Sequence, residues 1–155
     1  MNRIVVITGA TSGIGLLSAD LFRKDGDTVI TLANVGGENI ENFMYCDVSD
    51  EENIKRCFDE IKEKYGRVDV LVNNAGYGLN GVLELIPTEK IEKQFAVNVY
   101  GVINCTRYAL PLMSKGAKII NMSSCMALFP MPYRSMYAAS KSAVLTMSFS
   151  QRMVP

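Results

Sequence analysis

The chemistry open to this sequence is concentrated in Tyr137-Ala-Ala-Ser-Lys141, which sets a phenol and an ammonium four residues apart. In a helix that spacing stacks the two side chains on one face. A phenol titrates near 10 in water, so it exchanges protons at neutral pH only where a fixed cation stabilises its anion. Lys141 is placed to be that cation, and such a pair suits proton transfer to or from a carbonyl or alcohol oxygen. The chain contains no histidine, so acid and base work falls to Tyr, Lys and carboxylates. A Tyr and a Lys at this spacing are also common on solvated helices, and the rest of the chain decides between the two readings.

The helix that carries the pair is expected from Tyr133 onward, after a Pro-rich loop. Upstream of it, short β-branched runs alternate with helical patterns. Residues 4–7 read as a buried strand, and Ile14, Leu17, Leu21 and Phe22 keep helical spacing until Gly26 stops them. Residues 28–32 form a second strand, followed by Asn34-Val-Gly-Gly37, too short for a well-formed crossover helix before a third strand over 43–46. Ser49 with Glu52 three residues on reads as a capping box. The helix it opens has Ile54, Cys57, Phe58, Ile61 and Tyr65 as its inward stripe. Residues 68–72 are a fourth strand, nearly all apolar as a parallel strand covered on both faces must be. Helices over 88–96 and 99–113 and a fifth strand over 118–122 complete the pattern. The alternation implies an α/β fold with a doubly wound parallel sheet of Rossmann type. One domain over residues 1–155 is expected, with ligands at the carboxyl ends of the strands.

The first strand-to-helix turn is Thr8-Gly-Ala-Thr-Ser-Gly-Ile-Gly15. Gly9, Gly13 and Gly15 fall where a tight turn, a close approach of backbone to a pyrophosphate and helix-to-strand packing would each exclude a Cβ. The following helix turns its free N–H groups and positive dipole end toward the phosphates. Thr11, Ser12 and Ile14 complete this dinucleotide-binding turn.

Composition narrows the partners. Lys plus Arg equals Asp plus Glu at 16 each, which leaves no basic face for nucleic acid or an anionic membrane. A small molecule is the expected partner. The 155 residues, 48% of them hydrophobic, are enough to bury about 70% of the unfolded-chain surface. No apolar run nears the roughly 18 residues of a membrane span, and the apolar start ends at Thr8-Gly9, so a cytoplasmic location is expected. Cys46, Cys57, Cys105 and Cys125 are far apart with no C-x-x-C spacing, which indicates neither zinc nor a disulfide framework. Cys125 reads as a small buried residue, since nothing places a cation beside it.

With Thr8-Gly-x-x-x-Gly-Ile-Gly15, Asn73-Asn-Ala-Gly76, Ser123-Ser124 and Tyr137-x-x-x-Lys141 in this order, the sequence resembles the short-chain dehydrogenase/reductase family from end to end. The resemblance implies hydride transfer between NAD(P)(H) and a carbonyl or secondary alcohol. Tyr137 would be the acid/base, and Lys141 would lower its pKa and bond the nicotinamide ribose. Ser124 would hydrogen-bond the substrate oxygen, sharing substrate binding with Tyr137. Asn98 would be a fourth catalytic residue, holding a water that links Lys141 to solvent. Asp47 and Val48 would contact the adenine, and Asn74, Ala75 and Gly76 would line the cofactor. A homo-oligomer, dimer or tetramer, is also implied, and no metal. Outside the resemblance, Ser123 and Ser124 read as a strand end, Asp47 as a cap, Asn73 and Asn74 as loop-formers and Asn98 as an N-cap. The alternative function is a non-catalytic nucleotide-binding module, or an inactive fragment of such an enzyme.

Two departures from the family pattern stand out. At the end of the second strand, Ala33 and Asn34 occupy the place of the acid that binds the adenosine ribose of NAD. NADP is therefore favoured over NAD, although neither Asn34 nor Ser12 supplies a basic residue for a 2′-phosphate. Family members also continue past the Tyr137 helix into further strands, so the chain reads as the first part of such an enzyme. The loop Met126-Ala-Leu-Phe-Pro-Met-Pro132 is wholly apolar, and with Tyr77-Gly-Leu79 it implies a lipid-like or alicyclic ketone or alcohol.

Overall fold

The β-branched runs form five parallel strands: β1 (Ile4–Thr8), β2 (Thr28–Ala33), β3 (Phe43–Tyr45), β4 (Val70–Asn73) and β5 (Lys118–Asn121), in the order β3-β2-β1-β4-β5. They are seen in a computed structural model that describes residues 2–37 and 39–151. The chain winds outward from β1 in one direction and then, from β4, in the other. The switch point between β1 and β4 opens a crevice at the carboxyl ends of the strands. Val5 sits between Val29 and Val70 in register, and alternation along β1 sends its side chains to opposite faces. Ile4 and Val6 pack with α2 (Glu51–Tyr65) and α4 (Gly101–Ala109), whereas Val5 and Ile7 pack under α1 (Gly13–Lys24). Each aliphatic side chain so buried contributes about 1.5–3 kcal/mol.

The apolar spacing in α1 is real but faces outward. Ile14, Leu17 and Leu21 are 64–65% exposed, while Gly15, Ala19 and Phe22 meet the sheet. Small side chains at 15 and 19 let the helix axis approach closely, which rotates the larger ones away. In α2 the expected stripe is buried at Ile54, Cys57, Phe58 and Ile61. Its cap lies one residue later than the capping box predicts: Asp50, not Ser49, accepts the Glu52 and Asn53 N–H groups. A carboxylate there satisfies two free donors and also meets the positive end of the helix dipole. The Ser49 hydroxyl instead donates to Asp47 Oδ1 at 2.7 Å. The described residues between β2 and β3 hold no helix, as the Gly36-Gly37 turn predicts.

Two expected helices prove to be one helical run with a defect. α3 (Thr88–Phe95) passes through a π-helical turn at Ala96–Tyr100 directly into α4, and Pro111 sits in the 3₁₀ turn Leu110–Leu112 that ends it. The fourth strand begins later than the apolar run suggests, because the Val68 N–H donates to Leu112 O and the Asp69 carboxylate accepts the Ile4 N–H. The last helix, α5 (Ser135–Gln151), starts two residues after Tyr133, whose φ of 64° ends the preceding loop. Cys46, Cys57 and Cys105 are buried, but Cys125 is exposed, contrary to expectation, because it lies in a 3₁₀ turn outside the sheet. A hydrogen bond with Cys57, together with burial, holds the Cys46 thiol well above its ordinary value, and burial pushes Cys105 up to about 12. All four are free thiols. No helix among the described residues is long and apolar enough to cross a membrane.

Candidate active site

The carboxyl ends of all five strands open into one cleft of about 640 Å³. At its centre is the turn after β1. Gly9 has φ +67°, and a Cβ there would stand 2.9 Å from Ala75 Cα. A Cβ on Gly15 would stand 2.5 Å from Gly9 O and collide with Asn74 Nδ2. The two glycines thus make room for the loop after β4, and Asn74 locks the loops together by donating to Thr8 O at 2.9 Å and Gly9 O at 3.2 Å. The Thr8 hydroxyl completes the joint by accepting the Asn74 and Ala75 N–H groups. Gly13 is different: its φ is +53°, and a Cβ there would meet no atom within 4 Å. Its side of the turn stays open. No side chain caps α1 and no acid lies in its first turn, so its N–H groups and dipole face the cleft as an anion site.

The far end of the cleft is built by Asp47 and Val48. Ser49, through its hydroxyl and N–H, and Asn34 hold the Asp47 carboxyl below the usual range against the opposing effect of burial. Val48 is drawn against α4 at Gly101, where a Cβ would stand 2.9 Å from Val48 O. Ala33 and Asn34, at the end of β2, also line this part. A cradle free of Cβ atoms at an uncapped helix N-terminus, with a polar and apolar pair beyond it, fits an elongated phosphate-bearing dinucleotide.

The other end holds Tyr137 and Lys141. Lys141 is only 6% exposed; its ammonium donates to Met122 O at 2.7 Å and lies 6.0 Å from the Tyr137 ring centroid. Burial lowers its pKa. Among the described residues nothing hydrogen-bonds the Tyr137 hydroxyl, which leaves it free for another oxygen. Gly76 passes over this pair: a Cβ there would stand 3.0 Å from Asn98 Oδ1 and 3.4 Å from Lys141 Nζ. Asn98, fully buried, sits in the π-helical turn, a feature that concentrates at functional sites. Its Oδ1 accepts the Tyr77 N–H at 3.0 Å, and its Nδ2 donates to Tyr77 O at 2.9 Å and Ser140 Oγ at 3.1 Å. The asparagine therefore clamps the loop after β4 onto α5.

A family model described as short chain dehydrogenase matches residues 3–153. The chain belongs to the short-chain dehydrogenase family. It is 38% identical over 146 residues to a 3-ketodihydrosphingosine reductase of Bacteroides thetaiotaomicron, covering 92% of this chain and 54% of that relative. The chain thus spans about half the length of that protein. Among solved structures, a ligand-free aldohexose dehydrogenase of Thermoplasma acidophilum superposes with a TM-score of 0.92 at 34% identity, over 99% of this chain and 62% of the other. ElxO with NADP bound superposes with a TM-score of 0.86 at 34% identity, over 95% and 65%.

Every position that the family resemblance marks for cofactor lines the cleft: Gly9, Thr11, Ser12, Gly13, Ile14 and Gly15 after β1, Asp47 and Val48 after β3, Asn74, Ala75 and Gly76 after β4, and Tyr137 and Lys141 on α5. Asn98 and Ser124 do not line it. Asn98 stands behind Gly76, and Ser124 caps the 3₁₀ turn Cys125–Ala127 by accepting the Met126 N–H at 3.2 Å. Ser123 does line the cleft and donates to Lys141 O at 2.9 Å. Sequence reasoning passed over Thr8, Gln94, Ser140 and Lys93. Gln94 is wholly buried and donates to Tyr77 O at 3.2 Å. The signal was present, because Ile91, Gln94 and Asn98 keep the i, i+3, i+7 spacing of a buried face.

Proposed function

We propose that this chain supplies the cofactor cleft and proton-transfer centre of an NAD(P)-dependent oxidoreductase that interconverts a carbonyl and a secondary alcohol. The observation that carries this reading is the pair formed by Tyr137 and Lys141 at the end of a glycine-cradled cleft, the lysine buried and the phenol unbonded. The nicotinamide, when bound, supplies or accepts the hydride. In reduction, Tyr137 gives its phenolic proton to the carbonyl oxygen; in oxidation the phenolate takes it back. Lys141, held by Met122 O, keeps its positive charge beside the phenol and stabilises the anion. The Ser124 hydroxyl accepts the Met126 N–H and keeps its own proton to donate to the substrate oxygen. Asn98 keeps the loop after β4 against α5 and so holds the cofactor face and the proton donor in one frame. In the family's pattern it also holds a water that resupplies Lys141.

For the cofactor, the absence of an acid at Ala33 and Asn34 favours NADP over NAD, and the neighbour that carries NADP agrees. A ketone or alcohol with apolar character suits the loop over residues 126–132, where Leu128, Phe129 and Met131 are exposed. The relative named a 3-ketodihydrosphingosine reductase agrees with a ketone substrate. A cytoplasmic homo-oligomer completes the reading. Following NADPH and NADH absorbance at 340 nm against a panel of ketones tests it. Carbonyl-dependent loss of absorbance, faster with NADPH, is expected. A cofactor that binds but is oxidised by none of the panel would refute the enzymatic reading.

A further inference from the structure

The Tyr137 ring is flanked by a second cation that the proton-transfer scheme does not use. Arg134, one turn before Tyr137 on the approach to α5, places its guanidinium carbon 5.9 Å from the ring centroid. The other boundary is Gly78 in the loop after β4, where a Cβ would stand 2.5 Å from Arg134 Nη1 and 3.7 Å from Tyr137 Cδ2. Glycine at 78 thus admits the guanidinium between the loop and the phenol. The layer is fixed on both sides: the Gly81 N–H donates to Tyr133 O at 2.9 Å, and Arg134 O accepts the Ala138 N–H at 2.8 Å.

A guanidinium carries five donors in a fixed fork and no acceptor, and that of Arg134 is half-buried. Among the described residues, no acceptor engages the guanidinium of Arg134, and none of the four ion pairs includes it. Gly78 and Tyr137 line the cleft, and the guanidinium stands against both of them. A planar fork of this kind matches an oxyacid anion in bidentate fashion. Resting on the function proposed above, we infer that Arg134 is a specificity-determining residue, binding an anionic oxyacid group, carboxylate or phosphate-like, a few atoms from the substrate carbonyl. The exposed apolar loop over residues 126–132 receives the remainder, so the substrate is an acidic ketone with an apolar portion.

Ligand-observed NMR titration of the NADP-loaded protein with levulinate, the matching phosphonate and neutral methyl levulinate tests this. At least one anion is expected to bind about tenfold to a hundredfold more tightly than the ester, the range of one charge-assisted hydrogen-bonded pair. Arg134→Gln should erase that ratio, and Arg134→Lys should keep part of it, having the charge without the fork. Gly78→Ala, whose methyl displaces the guanidinium without touching its charge, should also reduce it. Equal affinities in the wild type, or a ratio that survives Arg134→Gln, would overturn the assignment. Absorbance at 340 nm in parallel separates the two proposals. An anion preference without turnover upholds Arg134 and strikes the oxidoreductase reading, while turnover of all three ketones with no preference does the reverse.

Discussion

A methyl group added at Gly15 has two opposing effects, and the structure says which wins. Helix propensity favours Gly15→Ala by up to about 1 kcal/mol. Against it, the new Cβ would stand 2.5 Å from Gly9 O and 3.0 Å from Ala10 Cα, and would also strike Asn74 Nδ2. Two of the three are backbone atoms and cannot swing aside. Relief takes a shift of the turn against α1, and overpacking of this kind costs about 1–3 kcal/mol. The shift also opens the Asn74 bonds to Thr8 O and Gly9 O, each worth about 1 kcal/mol. The net expectation is a loss of about 2–4 kcal/mol, read as a lower urea midpoint at unchanged slope, with weaker NADPH binding by fluorescence titration. Gly13→Ala is the control. It meets no atom within 4 Å, so only its φ of +53° opposes it, at about 1–2 kcal/mol. A Gly15→Ala protein as stable as the wild type, or less damaged than Gly13→Ala, would refute the packing argument.

Ala33→Asp places an acceptor at the end of β2, where a ribose hydroxyl is expected and a 2′-phosphate would be repelled; the ratio of NAD to NADP affinity should rise, and an unchanged ratio would mean that the adenosine lies elsewhere. The buried Asp27 carboxylate accepts Arg3 N at 3.1 Å and Arg3 Nε at 3.0 Å, and the Arg3 side-chain hydrogen bond is the main cause that lowers its pKa below the ordinary 3.8. A carboxyl depressed on folding gives stability that is present above about pH 4 and lost as pH falls through the lowered folded-state value. Melting temperature should therefore drop more steeply below pH 4 in the wild type than in Asp27→Asn. Parallel acid limbs would contradict this.

Much of the cleft was legible because glycine, asparagine and the Tyr137–Lys141 spacing carry backbone and hydrogen-bond requirements that few alternatives meet. The doubly wound parallel sheet followed from alternation, and the missing crossover helix from Gly36 and Gly37. What stayed hidden depends on contacts between distant segments. The outward turn of Leu17 and Leu21 follows from how closely Gly15 and Ala19 let α1 approach the sheet. The π-helical turn that aims Asn98 at Tyr77 shifts the phase of the apolar pattern by one residue, which reads as a break between two helices rather than as one continuous run. Asp50 displaced Ser49 as a cap since both residues can cap, and Asp47 claims the serine hydroxyl. Arg134 carried no signal in the sequence, because Gly78, which stands opposite it, is far away along the chain.

Turnover of Tyr137→Phe bears most directly on the central claim, that this phenol delivers the proton in carbonyl reduction. The substitution removes one oxygen that no described group of the protein bonds, so fold and cleft are left as they are. Measured beside the wild type with saturating NADPH and the best ketone of the panel, it should lower kcat by about 10² to 10⁴, the range of a lost general acid, with NADPH affinity within a few-fold of the wild type. Near-wild-type turnover by Tyr137→Phe would contradict the assignment of the site.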